Sequence, residues 1–247
     1  MKHNMKIIFL LLAASVAAPS GAADKPSGLP DGYKLLYEQD CAKPEAIQDF
    51  VLSDTKSWKM TTTNGETSLE CLGKSKYNPR YRSPFNIALI AGRQFGDFVF
   101  DVELQSTVKP YPHQDMCLFF GFQDTNHYYY THIAVRPDPV KTESHAHDLF
   151  IVNNAARQCF AKEVSAGVTW GKDVWHKIRV TRTVNDGAIK VYFDDFTKPI
   201  MSGSEKTFNT GAIGVGTFDD AGKVRNLRIW GPSSEPKETG FFRPKQN

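Results

Sequence analysis

The sequence predicts an all-β protein, a two-sheet antiparallel jelly-roll sandwich, on three observations. Apolar and polar residues alternate with a period of two in short segments such as 98–104 and 175–183, which is the pattern of half-buried strands. Turn residues separate these segments, and Asp186-Gly187 is a strong hairpin signal. Helical periodicity is weak throughout, with one short candidate helix at 45–51. We therefore expect helix in less than about a tenth of the chain.

The strand signals follow one another from the middle of the chain to its last quarter. In chain order, the segments are 98–104, 116–122, 127–135, 149–153, 175–183, 188–193, 212–217 and 224–230. In the first, alternation puts Phe98, Phe100 and Leu104 on one face. The sixth follows the Asp-Gly turn and completes a hairpin with the fifth. Gly214 and Gly216 in the seventh are expected where strands approach closely.

The beginning of the chain has the features of a secretory signal peptide. Lys2 and Lys6 precede an apolar run at 7–18, and small residues follow it. The run is shorter than the roughly 20 apolar residues of a membrane span, although an uncleaved anchor is the alternative. The predicted organisation is a signal peptide at 1–23, a loose leader at 24–33, a jelly-roll domain at 34–231 and a C-terminal extension at 232–247. We expect a secreted or periplasmic protein without further membrane insertion.

The net charge of the chain indicates which classes of binding partner to exclude. The whole chain carries a formal net charge of +3, and two of these charges belong to the predicted signal peptide. Positive and negative residues are interspersed along the rest. A nearly neutral mature chain lacks the basic surface that nucleic acids or anionic membranes require, so we expect neither as a partner.

The four cysteines are Cys41, Cys71, Cys117 and Cys159. An exported protein meets an oxidising compartment, where disulfides form. Four cysteines allow three pairings, among which sequence does not choose. If any pair is linked, we expect it to be Cys41 and Cys71, because they bracket the N-terminal segment. Cys117 lies within an apolar strand and is expected to be a buried free thiol.

Segment 111–157 is the most unusual part of the chain. It contains five of the seven histidines: His113, His127, His132, His145 and His147. In an extended strand, Tyr128, Tyr130 and His132 share one face. Aromatic rings cover the apolar faces of sugars, while His, Asn and Arg bond the hydroxyl groups. The pattern favours a saccharide site, and a solvated sheet face with edge tyrosines is the alternative.

We expect Tyr130, His132, His145 and His147 to line one concave cleft, with Asp115, Asn153 and Arg157 near it. As catalytic residues we predict Tyr130, His132 and His147. As substrate-binding residues we predict Arg82, Asp115, Tyr128, His145, Asn153 and Arg157. A histidine or tyrosine that removes an acidic C–H proton would suit a lyase. Asp101 and Glu103 share a strand face and are the weaker alternative, a carboxylate pair for hydrolysis.

The cofactor is unknown from sequence, and two kinds of metal site are open. His145 and His147, joined by Asp115 or His132 across the sheet, would suit a divalent transition metal. Two histidines alone do not define such a site, and the alternative is a loop whose histidines contact water or saccharide. Asp219 and Asp220 lie in an acidic turn, where a structural calcium is possible.

The C-terminal third also carries a recognisable pattern. It reads WHKIRV at 175–180, IKVYFDD at 189–195, GAIGVG at 211–216 and VRNLRIW at 224–230. It resembles the closing strands of the concanavalin A-like lectin/glucanase superfamily, and most of all the 3-keto-disaccharide hydrolase domain family of secreted bacterial proteins. The resemblance covers about 34–231 and rests on structural motifs, which inform fold more than function.

The resemblance implies a secreted carbohydrate-active protein with an oligo- or polysaccharide partner. We expect a glycoside hydrolase or polysaccharide lyase that acts on extracellular saccharides. The alternative is a non-catalytic glycan-binding module that uses the same face. A purely structural envelope domain is a third possibility.

Overall fold

The computed structural model describes residues 25–137, 147–238 and 240–242. The chain divides into two units, Met1–Pro30 and Asp31–Asn247. The second unit contains every strand reported below, and the first is described only at 25–30, which include a turn. The predicted signal peptide and His145 lie outside the described residues. Within the described residues, no helix is long and apolar enough to cross a membrane.

Strands are the main regular secondary structure of the described residues. In chain order they are β1 Lys34–Gln39, β2 Phe50–Leu52, β3 Trp58–Thr63, β4 Glu66–Cys71, β5 Asn86–Ile90, β6 Arg93–Phe95, β7 Phe98–Ser106, β8 Asp115–Asp124, β9 His127–Ala134, β10 Asp148–Asn153, β11 Gln158–Cys159, β12 Ala161–Val164, β13 Val174–Arg182, β14 Ala188–Phe193, β15 Met201–Ser204, β16 Ala212–Thr217, β17 Gly222–Gly231 and β18 Ser234–Pro236. The helices of this part of the chain are two short 3-10 turns, Pro44–Asp49 and Thr55–Ser57.

The strands build two large antiparallel sheets. Sheet A runs β12-β15-β14-β13-β7-β17-β4-β3, with β1 also paired to β17. Sheet B runs β11-β10-β9-β8-β16-β5-β2. The predicted two-sheet jelly-roll sandwich is confirmed. A third, small sheet joins β18 to β6, so the predicted C-terminal extension begins as a paired strand.

The main core lies between the two sheets. Phe98, Phe100 and Leu104 of β7 are buried in it, as the alternation predicted, and face Leu118 and Phe120 of β8. Phe98 and Phe120 meet edge to face with ring centroids 6.0 Å apart, an arrangement that aromatic pairs favour. The period-two pattern of β7 therefore correctly predicts which face of the strand is buried.

Sheet B is also buried on its outer face, by a layer of aromatic rings. Tyr128 of β9 stacks on Phe122, with centroids 4.7 Å apart. Tyr130 stacks on Phe150 of β10, with centroids 5.0 Å apart. A cover is packed on this layer from two distant segments, through Tyr77, Tyr81, Phe241 and Phe242. Because both faces of sheet B are covered, the tyrosine face of β9 is core and not an open cleft.

Gly216 shows why glycine is required where sheet B strands approach. A Cβ at this position would lie 1.9 Å from the carbonyl oxygen of Asn86 on β5, far closer than any real contact. The prediction that Gly216 lies where two strands approach closely is confirmed, and the strands are β16 and β5.

None of the four cysteines forms a disulfide in the structure. Cys41 and Cys71 both lie in the main core, and burial raises the pKa of each thiol to about 12. The structure has no Cys41–Cys71 bridge, and the two thiols pack as small apolar side chains. Which pair is linked, if any is, stays a prediction. Cys117 is buried and free, as predicted.

Candidate functional site

A cleft of about 310 Å³ opens at the end of sheet B where β8 begins and β9 ends. Its walls come from the loops before β5 and β8 and from the loop after β16. The lining residues are Arg82, Phe85, Tyr111, His113, Asp115, His132, Phe218 and Asp219. The volume lies at the lower end of the roughly 300–1,000 Å³ typical of small-ligand pockets.

Three side chains meet at the floor of the cleft because of strand register. Asp115 and Cys117 are two residues apart on β8, so they share a face. Cys117 is directly opposite His132 of β9. The Asp115 Oδ2 atom lies 3.5 Å from His132 Nε2 and accepts a hydrogen bond from Cys117 Sγ at 3.4 Å. All three residues are buried, with 3% exposure at His132 and less at the other two.

Asp115 is held in place by groups from the loop after β16. Its Oδ2 atom accepts a hydrogen bond from the backbone amide of Phe218 at 3.0 Å. Its own amide donates to Asp220 Oδ2 at 2.9 Å, and Tyr111 donates its hydroxyl proton to Asp220 Oδ1 at 2.6 Å. Burial, and next the charge of Asp115, raise the pKa of Asp220 to about 6.

Phe218 lies between two arginines. Arg82 is exposed at the rim, with its guanidinium carbon 5.5 Å from the Phe218 ring centroid. The fully buried Arg157 guanidinium lies 4.9 Å from the same ring and 4.7 Å from that of Phe150. Cations over aromatic faces are attracted by the ring quadrupole. The Phe218 ring thus joins the rim of the cleft to the aromatic layer behind it.

The structure brings together part of the predicted site. Arg82, Asp115 and His132 line the same cleft, and Arg157 contacts it from behind through Phe218. The catalytic and binding roles assigned to them stay predictions. Tyr130 is fully buried in the aromatic layer, which corrects the expectation that it lines the cleft. Tyr128, predicted to bind substrate, is fully buried in the same layer and does not line the cleft either.

His147 and Asn153 also depart from the predicted arrangement. His147 is fully buried: its Nδ1 atom accepts a hydrogen bond from the Ala134 amide, and Nε2 lies 3.2 Å from Ser165 Oγ. Burial lowers its pKa to about 3, so it is a neutral structural imidazole. Asn153 is exposed and pairs with His127, at the opposite end of β9 and β10 from His132. His147 and Asn153 are close to the other predicted site residues in sequence, but the fold does not bring them into the cleft with His132.

Sequence reasoning missed three residues of the cleft wall, Phe85, Tyr111 and Phe218. Phe85 lies directly before β5, a strand without alternation. Phe218 follows a strand, and Tyr111 lies in a turn-rich loop, so neither lies in an alternating segment. The sequence signal at Phe218 is its position directly before the acidic turn at 219–220, and Tyr111 is the first residue of the histidine-rich segment 111–157. That turn was considered for calcium, and the Asp115, Asp219 and Asp220 carboxylates do approach one another within 4.8 Å.

The outer face of sheet A is a weaker candidate for a catalytic site than the cleft. Asp101 is bound by Arg179, with Oδ1 to Nε at 2.6 Å, and Glu103 by Arg225 at 2.8 Å. Both carboxylates are therefore committed to ion pairs. Arg225 also lies 4.2 Å from the centroid of Trp175 and covers one face of that ring.

The two packed sheets define a jelly-roll sandwich of the lectin and galectin type. No family model and no curated protein matches the sequence. In fold, the chain is similar to carbohydrate binding module CBM66 from Bacillus subtilis, with a TM-score of 0.52 and 13% identity over 74% of this chain and 96% of that one.

Two further solved structures have the same fold. A Bacillus subtilis protein of unknown function with a galectin-like fold matches with a TM-score of 0.54 and 11% identity, over 80% of this chain and 97% of that one. Lectin I from Ulex europaeus, in complex with the methyl glycoside of α-L-fucose, matches with a TM-score of 0.50 and 8% identity, over 82% and 98%. The likeness supports the expected concanavalin A-like fold, and membership of the 3-keto-disaccharide hydrolase family stays a prediction.

Proposed function

We propose that this chain is an exported carbohydrate-binding protein that holds a saccharide in the cleft between Arg82 and the Asp115–His132 pair. The observation that carries the proposal is the composition of this cleft: an exposed guanidinium and aromatic rings stand over a buried carboxylate and imidazole. Export is the prediction made from the first residues of the chain.

The lining offers both kinds of contact that a sugar requires. Tyr111, which is 37% exposed, presents ring surface for the apolar C–H faces of a pyranose, and Phe218 forms part of the wall behind it. Arg82 donates up to five hydrogen bonds to hydroxyl oxygens, while the carboxylate of Asp219 accepts from hydroxyl protons. The volume of about 310 Å³ suits one sugar unit at the end of a chain better than an internal stretch of polymer.

The fold gives independent support. A carbohydrate binding module and a lectin that was solved with a fucoside share this architecture. Because sequence identity to these proteins is only 8–13%, the shared fold does not determine the ligand. The residues that line the cleft are therefore expected to determine which saccharide binds.

A second candidate function is catalysis by a glycoside hydrolase or polysaccharide lyase in the same cleft. His132 and Asp115 form an imidazole–carboxylate pair with 3.5 Å between Nε2 and Oδ2, as a general base and its orienting group do. Asp220, with its pKa of about 6, provides a carboxyl group able to hold a proton near neutral pH.

Glycan binding by matched arginine variants tests the proposal. A glycan array screened with wild-type protein identifies a ligand, and calorimetry then measures its affinity for Arg82→Ala and Arg80→Ala. Both arginines are exposed on one loop and lie over aromatic rings, 5.5 Å from Phe218 and 5.3 Å from Tyr81. We expect Arg82→Ala to weaken binding by roughly tenfold or more, from about 1.5–3 kcal/mol for a charged hydrogen bond, and Arg80→Ala to leave it unchanged.

The same ligand separates binding from catalysis. If wild-type protein releases new reducing ends or unsaturated products and His132→Gln does not, the enzyme hypothesis is supported. Tight binding without turnover supports the binding protein. Wild-type protein that binds nothing on a broad array, or equal affinities for the two arginine variants, would contradict the proposed site.

A further inference from the structure

We propose that Asp115, Cys117 and His132 form a binding site for zinc or a similar divalent transition metal at the floor of the cleft. The site does not depend on the saccharide proposal. Its three donors, a carboxylate oxygen, a sulfur and an imidazole nitrogen, all lie within 4.8 Å of one another.

The separations of the donor atoms match a tetrahedral site. Zinc bonds of about 2.0–2.3 Å at tetrahedral angles place neighbouring donor atoms about 3.3–3.6 Å apart. The Asp115 Oδ2 atom lies 3.4 Å from Cys117 Sγ and 3.5 Å from His132 Nε2. Two edges of the tetrahedron are therefore present already, and binding requires little movement of the side chains.

The backbone makes this arrangement rigid. Asp115 and Cys117 occupy alternate positions of β8, and His132 is the cross-strand partner of Cys117. Both strands lie inside sheet B, with further strands paired on either side of them. Donors fixed on paired strands lose little conformational freedom when a ligand binds, so the site is preorganised.

The donor set selects the class of ion. A thiolate and an imidazole favour zinc and its neighbours, whereas calcium and magnesium prefer oxygen ligands. Asp115 and His132 also line the cleft, so a fourth coordination position would face the open space. Three protein ligands with one open position are the arrangement of catalytic rather than structural zinc sites.

Metal binding must displace a proton from sulfur. Burial, and next the charge of Asp115, raise the pKa of the Cys117 thiol well above its usual range, with Asp220 adding to the rise and Arg157 opposing it. The step is Cys–SH plus M²⁺ giving Cys–S⁻–M²⁺ plus H⁺, without oxidation or reduction. The ion replaces the proton that the thiol now shares with Asp115.

Cobalt titration tests the site directly. Protein is stripped with chelator and titrated with Co²⁺, which gives a thiolate-to-cobalt charge-transfer absorption in the near ultraviolet when sulfur is a ligand. We expect that band for wild-type protein, its loss in Cys117→Ser, and its retention in Cys41→Ser, which changes another buried thiol of the core. Zinc should displace cobalt with one ion bound per chain.

The affinity for zinc supplies a second readout. We expect Cys117→Ser and His132→Gln each to weaken Zn²⁺ binding by at least about 100-fold, since even outer-shell changes cost about 10–100-fold. If Cys117→Ser fails to fold, wild-type protein still decides: no charge-transfer band and no bound zinc overturn the proposal. Preferential Ca²⁺ binding that is indifferent to Cys117 also overturns it, because the ligands would then be the oxygens of Asp115, Asp219 and Asp220.

Discussion

The Arg157 guanidinium donates a hydrogen bond from Nη1 to the hydroxyl of Tyr130, with 2.7 Å between the two atoms. Both residues are fully buried, and the guanidinium also lies between the rings of Phe150 and Phe218. Its Nε and Nη2 atoms have no hydrogen-bond acceptor. Arg157 therefore fills the space between the aromatic layer and the cleft wall, at the electrostatic cost of an unpaired buried cation.

Truncating this side chain should destabilise the protein. Arg157→Ala leaves a cavity beside Phe150 and deprives the Tyr130 hydroxyl of its donor, so we expect the free energy of unfolding to fall by about 2–5 kcal/mol. Arg157→Met keeps most of the volume and removes the unpaired charge, so its loss should be clearly smaller. Urea denaturation of the three proteins measures the difference. Equal losses in the two variants would show that volume does not matter at this position.

His147 should make the fold sensitive to acid. Its folded-state pKa of about 3 lies below the ordinary value of 6.5, so between these values the unfolded chain binds a proton that the folded chain does not. Stability is therefore complete above about pH 6.5 and falls by up to about 1.4 kcal/mol per pH unit as the pH drops toward 3. In His147→Gln, which keeps a polar side chain, we expect a smaller loss of stability over this range.

Chemical denaturation of wild type and His147→Gln at several pH values between 4 and 8 checks this expectation. Asp220 acts in the opposite sense, because its raised pKa stabilises the fold as the pH falls through about 6, and the difference between the two proteins removes its contribution. His127→Gln, which changes a partly exposed imidazole paired with Asp124, is the control. Parallel curves for wild type and His147→Gln would be the contrary result.

The rate at which each thiol reacts with a thiol reagent should depend on its burial. Cys41, Cys71 and Cys117 are buried, and Cys159 is partly exposed. A thiol reagent should therefore modify one cysteine quickly in the native protein and all four after denaturation. If denatured protein that was exported through an oxidising compartment shows two reactive thiols, a disulfide forms there, and peptide mapping will identify its partners.

Gly216 should not tolerate a side chain. The added methyl group in Gly216→Ala would overlap the Asn86 carbonyl oxygen, so β16 and β5 would have to separate. We expect poor expression or a melting temperature lower by several degrees, since a loss of about 1 kcal/mol lowers it by about 2–4 °C in a domain of this size. Gly240→Ala, where nothing lies within 4 Å of the new atom, is the matched control and should behave as wild type.

The strands with clear alternation were predictable. The segment 98–104 falls within β7, and 175–183 coincides with β13 to within one residue at each end. The Asp186-Gly187 turn joins β13 to β14, as predicted, with Gly187 at a positive φ of 73°. These features depend on neighbouring residues alone, which explains why they could be read from local patterns.

Other strands left little trace in the sequence. The five residues of β5 are all buried, so they show no alternation. The hairpin of β3 and β4 turns at Asn64-Gly65, both at positive φ, yet its strands are rich in threonine and charge. Strands that are buried on both faces, or exposed on much of their length, lack the contrast on which a period-two pattern depends.

By itself, the sequence determined that the chain forms short strands and that Tyr128, Tyr130 and His132 share one face of β9. Only the tertiary structure decided what covers that face. Tyr77 and Phe242, from distant parts of the chain, close over the tyrosines, whereas His132 remains at the edge of an open cleft. The Phe218 amide reaches Asp115 across 103 residues. Alternation follows from local backbone geometry, whereas the cover of a sheet face is set by long-range packing that no local pattern encodes.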